Sequence, residues 1–199
     1  MTKFKFLLFI AVLVGFAALA HAGFKNGKAA YDRGDYVKAY KEFKPLADQG
    51  LAEAQYILGL MCQAGQGVPK DYAEVVKWFR QAAEQGFPPA QRELGGLYAN
   101  GQGVPQDHAE AIKWYRKAAE QGDDEAQFEL GWAYADGNSV PQDFIQAYMW
   151  FDLAAAHVND TYAEDYAKDF KDSLAEKMTP AQIAEAQRLA RKWKPKSRD

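Results

Sequence analysis

The sequence repeats itself every 36 residues, and a chain that does so folds as an array of like units. Asp35, Asp71, Asp107 and Asp143 share this interval, as do Phe43, Phe79, Tyr115 and Phe151, and Ala47, Ala83, Ala119 and Ala155. Trp78, Trp114 and Trp150 keep it too. So do Gly59, Gly95 and Gly131, each after a leucine, and Pro69, Pro105 and Pro141, each after a valine. Ala54, Ala90 and Ala126 keep step, each followed by glutamine, and Gly50, Gly86 and Gly122 end in a fourth position held by Val158.

Each unit reads as two helices. In the copy from Asp107 to Gln121, Asp107 is an N-cap whose carboxylate accepts from first-turn amides. Glu110 stands three residues on in a capping-box arrangement, repeated by Glu74 and Gln146. Ala111, Ile112, Tyr115 and Ala119 recur at helical steps and mark a buried face, with His108 its polar member. Gly122 offers the left-handed stop. The other helix runs from about Pro89 to Asn100, with Ala90, Leu94, Leu97 and Tyr98 as its apolar stripe. Gly95 costs about 1 kcal/mol of helix propensity relative to alanine, so its recurrence predicts a close helix–helix approach. The loop Gly101-Gln102-Gly103-Val104-Pro105-Gln106 reverses the chain, which makes the two helices an antiparallel hairpin.

One hairpin cannot bury both its faces, but stacked hairpins do. The expected fold is all-α: an α/α superhelical solenoid of stacked antiparallel helix hairpins. Its units span residues 52–86, 88–122 and 124–158, between N-terminal capping helices at 23–51 and C-terminal capping helices at 159–199. Phe24 to Arg33 reads as a shortened first helix, and a long helix is expected from about Asp160 to Lys177. Thr179, Pro180 and Gln182 supply N-cap, N1 proline and N3 glutamine for a last helix running to about Trp193 and ended by Pro195.

The string A-x-A-Q-x-x-L-G-x-x-Y-x-x-G-x-G-V-P-x-D-x-x-x-A-x-x-W-Y-x-x-A-A-x-x-G, matched almost throughout by Pro88 to Gly122, resembles the Sel-one-like repeat, a relative of the tetratricopeptide repeat. The copy from Ala52 to Gly86 departs at Cys62 and Val75, and that from Asp124 to Val158 at Ser139. The resemblance implies an α/α superhelix and an adaptor or scaffold role in bacterial envelopes or secreted complexes. Some cysteine-rich secreted members carry a disulfide in each repeat and are associated with binding or hydrolysing β-lactams. This chain has one cysteine, Cys62, and departs from that branch. Cys62 reads as a small buried apolar residue; pairing between chains is the alternative.

Residues 1–22 read as a secretory signal: Lys3 and Lys5, an apolar run from Phe6 to Ala20, and the small-x-small site Ala20-His21-Ala22. Cleavage after Ala22 and a periplasmic or secreted location follow. The 15-residue run is short of the roughly 20 residues a membrane-spanning helix needs, so stable membrane insertion after cleavage is not expected; an uncleaved anchor is the alternative. Removing the segment leaves 22 basic against 27 acidic residues, a net charge of −5 with no basic stripe, which argues against nucleic acid.

Nothing in the sequence assembles a catalytic centre. His108 stands where neighbouring repeats have Tyr72 and Phe144 and reads as a part-buried packing residue. His157 replaces Gln85 and Gln121 at a helix end. Neither has metal-ligand neighbours, so no metal, no cofactor and no enzymatic activity are expected. Asp123, Asp124 and Glu125 read as a solvated helix start, and the repeated tryptophans as packing residues at unit junctions.

Positions that differ between repeats are free to serve binding. On the first helices these are Tyr56/Arg92/Phe128, Ile57/Glu93/Glu129, Leu60/Gly96/Trp132 and Ala64/Asn100/Asp136. In related superhelices the first helices line the concave side. The candidate partner-binding residues are therefore Tyr56, Leu60, Arg92, Glu93, Asn100, Phe128, Trp132 and Asp136, with Phe128 and Trp132 alternatively in contact with the C-terminal cap. The function expected is that of an adaptor binding a partner protein or peptide in its groove. The alternatives are a cell-envelope glycan-binding module and a β-lactam-hydrolysing enzyme.

Overall fold

Helix α1 fills residues 21–32 of the computed structural model, which describes residues 21–156 and 162–196. It is followed by α2 (Tyr36–Asp48), α3 (Ala52–Ala64), α4 (Tyr72–Glu84), α5 (Pro88–Asn100), α6 (His108–Ala119), α7 (Asp124–Asp136), α8 (Phe144–Ala154), α9 (Tyr162–Ala175) and α10 (Pro180–Lys192). The described residues contain no strand, as the all-α expectation requires. The chain divides into two compact units, one ending at Ala82 and one beginning at Ala83.

The repeated aspartates start the second helices as expected. Asp35 accepts from the Lys38 amide, Asp71 from Ala73, Asp107 from Glu110, and Asp143 from Ile145 and Gln146. The reciprocal half of the expected capping boxes is not formed there. Glu74 and Glu110 turn forward to Lys77 and Lys113, at 3.0 and 2.7 Å, where a charge-assisted partner replaces a backbone amide. The complete box is at Thr179 and Gln182, where no lysine competes.

The recurrent helix glycine is a notch for an aromatic ring. A methyl group on Gly95 would lie 2.8 Å from the Tyr115 ring, and one on Gly131 2.6 Å from Phe151; Gly59 meets Phe79 in the same way. The first unit contains a variant of this device. Gly27, not Gly23, faces Phe43, at 2.8 Å. The turn before α2 holds three residues (33–35) where the turn before α4 holds seven (65–71), so the notch moves along α1 by one helical turn and the ring still finds it.

The alanine–glutamine pair of each repeat has an equally local cause. The buried side-chain amides of Gln55, Gln91 and Gln127 donate to the carbonyls of Ala47, Ala83 and Ala119, at 3.0, 3.1 and 3.2 Å. Each adds a second donor to a carbonyl in the last turn of the preceding helix, which also accepts the backbone N–H of Gly50, Gly86 or Gly122.

In the first unit, Phe43, Leu58, Met61, Val75 and Phe79 are sealed from solvent, and Cys62 is buried with them as a free thiol. In the second unit, one core joins Ile112, Tyr115, Leu130 and Trp150 to Leu189 and Trp193; the other joins Tyr148, Phe151 and Leu174 to Phe128 and Phe170. Helices α9 and α10 both pack on α8, and α9 also reaches α7. The chain after α10 does more than stop. Trp193 meets Trp150 edge-on, and the Lys196 amide donates to the Glu120 carbonyl at 2.7 Å while its ammonium pairs with the Glu120 carboxylate.

Candidate partner-binding groove

Helices α5 and α7 carry six of the eight candidate residues, all in the second unit. Asn100, Trp132 and Asp136 line one cavity of about 550 Å³, together with His108, Tyr115 and Glu129. Trp132 and Asp136 also border an adjoining depression of about 300 Å³, whose walls include Phe144, Phe170, Leu174 and Lys177. Trp132 is thus a partition between two cavities, the larger lined by the carboxylates of Glu129 and Asp136 and the smaller by Asp136 and Lys177. Its indole rests edge-on against Phe170, with ring centroids 5.0 Å apart, and is still 46% exposed. Phe128 is tied down more fully, between Phe151 and Phe170. The cap contact weighed from the sequence therefore exists for both residues, and only Trp132 keeps a large open surface.

Tyr56 and Leu60 lie on α3 in the first unit. Tyr56 leans on Phe79, with centroids 5.7 Å apart, and Leu60 lines a pocket of about 250 Å³ with Phe24, Tyr31, Phe43 and Ile57.

Arg92 and Glu93 lie in an ion cluster in the second unit. The Arg92 guanidinium is 2.8 Å from Glu125, 3.0 Å from Glu93 and 3.8 Å from Asp123. Asp123 also accepts the Ala126 amide as the N-cap of α7. The cluster joins α5 to the first turn of α7: the three acidic residues do start the helix, and Glu125 is exposed, but the Asp123 side chain is mostly buried rather than solvated as expected from sequence. Burial opposes the charge on Arg92, but Asp123, Glu125 and Glu93 outweigh it and hold the guanidinium protonated. Burial also pushes the Asp123 and Glu125 carboxyls up, against the pull of Arg92. Glu129 is raised by burial first and by Glu125 second, with Arg92 opposing. These carboxylates outnumber their one guanidinium, so the face they share is negative.

His108 corrects a second expectation. It is exposed and lines the larger cavity, because it is the first residue of α6 and lies beyond the helix's buried stripe. Glu129 belonged to the variable set, and its place on the groove was legible there. Phe170 and Lys177 were not, since α9 carries no repeat. His157 lies outside the described residues, as do residues 1–20 of the expected signal. Among the described residues no group of His, Cys, Asp or Glu is placed to hold a metal ion, and no helix is long and apolar enough to cross a membrane.

The Sel1 repeat family model matches residues 52–87, 88–123 and 124–159, more than half of the chain. The chain belongs to the Sel1 repeat family. It is similar to the crystal structure of a Sel1 repeat protein from Oxalobacter formigenes, with a TM-score of 0.66 and 29% identity over 84% of this chain and 74% of that one. It is also similar to c5321, a protective antigen of uropathogenic Escherichia coli strains with an SLR fold. There the TM-score is 0.60 and the identity 28%, over 87% of this chain but 45% of the antigen, so the chain spans less than half of that protein. No curated protein matches it. Proteins of this repeat family generally mediate protein–protein interaction and are typically non-enzymatic scaffolds.

Proposed function

We propose that this chain is an exported, non-catalytic adaptor that holds a segment of a partner protein in the groove of its second unit. Arg92, Glu93, Asn100, Phe128, Trp132 and Asp136 belong to that face, and Tyr56 and Leu60 to the corresponding face of the first unit. One observation carries the reading: Trp132 is half exposed at a position where the other repeats have Leu60 and Gly96, between two cavities. The repeat does not require an indole there, and tryptophan is among the residues most often found as binding hot spots. Phe170 packs edge-on against the ring, a contact that reduces the side-chain freedom left to lose on binding.

Export is supported by Lys3, Lys5, the apolar run from Phe6 to Ala20 and the Ala20-His21-Ala22 site. We place the mature protein in the periplasm or outside the cell, with residues 23–51 and 159–199 closing the ends of the repeats at 52–86, 88–122 and 124–158. N-terminal sequencing of protein recovered from cells is expected to begin at Gly23; Met1 or Thr2 would refute export with cleavage.

The adaptor reading is tested by affinity capture from intact envelopes, with Trp132→Ala beside the wild type. A partner recovered with wild type and lost with the variant supports it; a partner held equally by both refutes the groove. The polar walls beside Trp132 (Asn100, Asn138, Ser139) favour a second reading, cell-envelope glycan binding. Co-sedimentation with insoluble peptidoglycan, lost in Trp132→Ala, would select it.

A further inference from the structure

Protein segments differ in charge, and the two cavities beside Trp132 discriminate by charge. The larger is lined by Glu129 and Asp136 with neutral Asn100, Asn138 and Ser139, and among the described residues no lysine or arginine lines it. Its one basic side chain is His108. Arg92 on α5 is committed to Glu93, Asp123 and Glu125. Asn138 donates to Asp136, which orients that carboxylate without neutralising it. The smaller cavity is walled by Phe144, Phe151, Phe170 and Leu174, with Gln142 and Ser173 as neutral polar groups and Asp136 balanced by Lys177. Asp136 and Trp132 border both, so the two adjoin across the indole.

We infer that the segment held in this groove is an extended peptide with a lysine or arginine within two residues of a bulky apolar side chain. The basic group enters the cavity of Glu129 and Asp136, and the apolar one enters the depression beyond Trp132. This rests on the groove reading above and adds the chemistry of the occupant. An extended strand advances about 3.3 Å per residue, so neighbouring or next-neighbouring side chains reach either side of one indole. The cation lies against carboxylates and an aromatic face, both of which attract it. Lys177 offsets Asp136 on the smaller side, so a basic group gains more in the cavity that also holds Glu129.

The test is selection of short random peptides, displayed on phage, against the purified protein and three variants: Trp132→Ala, Glu129→Gln/Asp136→Asn, and the charge reversal Glu129→Lys/Asp136→Lys. Circular dichroism first establishes that each variant is folded. Wild type is expected to enrich peptides with Lys or Arg within two residues of Leu, Ile, Met or Phe. The neutral double variant should bind synthetic copies on the order of tenfold more weakly, with a smaller dependence on salt. Charge reversal should enrich acidic peptides instead, which a merely structural role for the two carboxylates would not do. Peptides that enrich without a basic residue yet are lost in Trp132→Ala would overturn this inference and leave the groove reading intact. Failure to enrich any peptide, or enrichment indifferent to Trp132→Ala, would overturn both.

Discussion

Two adjacent glycines on α5 separate what the fold needs from what it tolerates. A methyl group on Gly95 meets Tyr115 at 2.8 Å and the Ala111 carbonyl at 3.2 Å, whereas one on Gly96 meets nothing closer than the Tyr115 hydroxyl at 3.7 Å. Gly95→Ala should therefore cost about 1–3 kcal/mol by overpacking. Gly96→Ala should be neutral or stabilise by up to about 1 kcal/mol through helix propensity. Thermal unfolding of the pair measures both. A buried carboxyl makes a second prediction at this scale. Glu129 has its pKa raised in the fold, so the folded state binds its proton more readily than the unfolded one. Such a group lowers stability once pH rises above the ordinary carboxylate range and has no effect below it. Glu129→Gln should raise the unfolding temperature at neutral pH, and the gain should vanish as pH falls below about 4. An unchanged gain at low pH would assign the effect to packing. The Gly95 notch was legible because a helix breaker recurring inside a helix demands a packing reason. The loading on Glu129 was not, because burial of a charge depends on neighbours far away in sequence.

Between elements, the conserved spacing hides two kinds of tie. The first recurs with the repeat. Gln91 donates to the Ala83 carbonyl and accepts from Gln121 at 2.8 Å. Gln91→Ala should cost about 1–3 kcal/mol, because it removes a buried side chain that both donates to the Ala83 carbonyl and accepts from Gln121. Gln121→Ala, which removes the bonds to Gln91 and to the Lys117 carbonyl from a more open site, should cost no more than about 1 kcal/mol. Denaturant titration of the two separates them, and equal losses would contradict the assignment. The recurrence of alanine–glutamine was plain in the sequence, but its cause was not, since the acceptor lies in the preceding helix. The second tie occurs once. Arg92 gathers Glu93, Asp123 and Glu125, and residues 193–196 fold back onto Glu120 and Trp150. No interval in the sequence announces a contact made in a single copy, and the reading of Asp123 as solvated failed for that reason. Helix starts fared better: Asp35, Asp107, Asp143 and Thr179 act through the next two or three residues, within reach of local reasoning.

For the molecule as a whole, periodicity fixes the fold class, and departures from periodicity mark the candidate site. Leu60, Gly96 and Trp132 share one register, and only Trp132 stands as a half-exposed partition between two cavities. Sequence comparison among the repeats therefore found the face but not its shape, because Phe170 and Lys177 enter from α9, outside the repeat pattern. The account's central claim is that a partner lies against this face. It is tested most directly by placing a photo-crosslinking amino acid at Asn100, an exposed residue lining the larger cavity, and separately at Lys113, exposed on α6 and absent from that lining. Irradiation of living cells is predicted to give a discrete protein adduct from position 100 and none from position 113. An adduct from position 113 alone would contradict the claim.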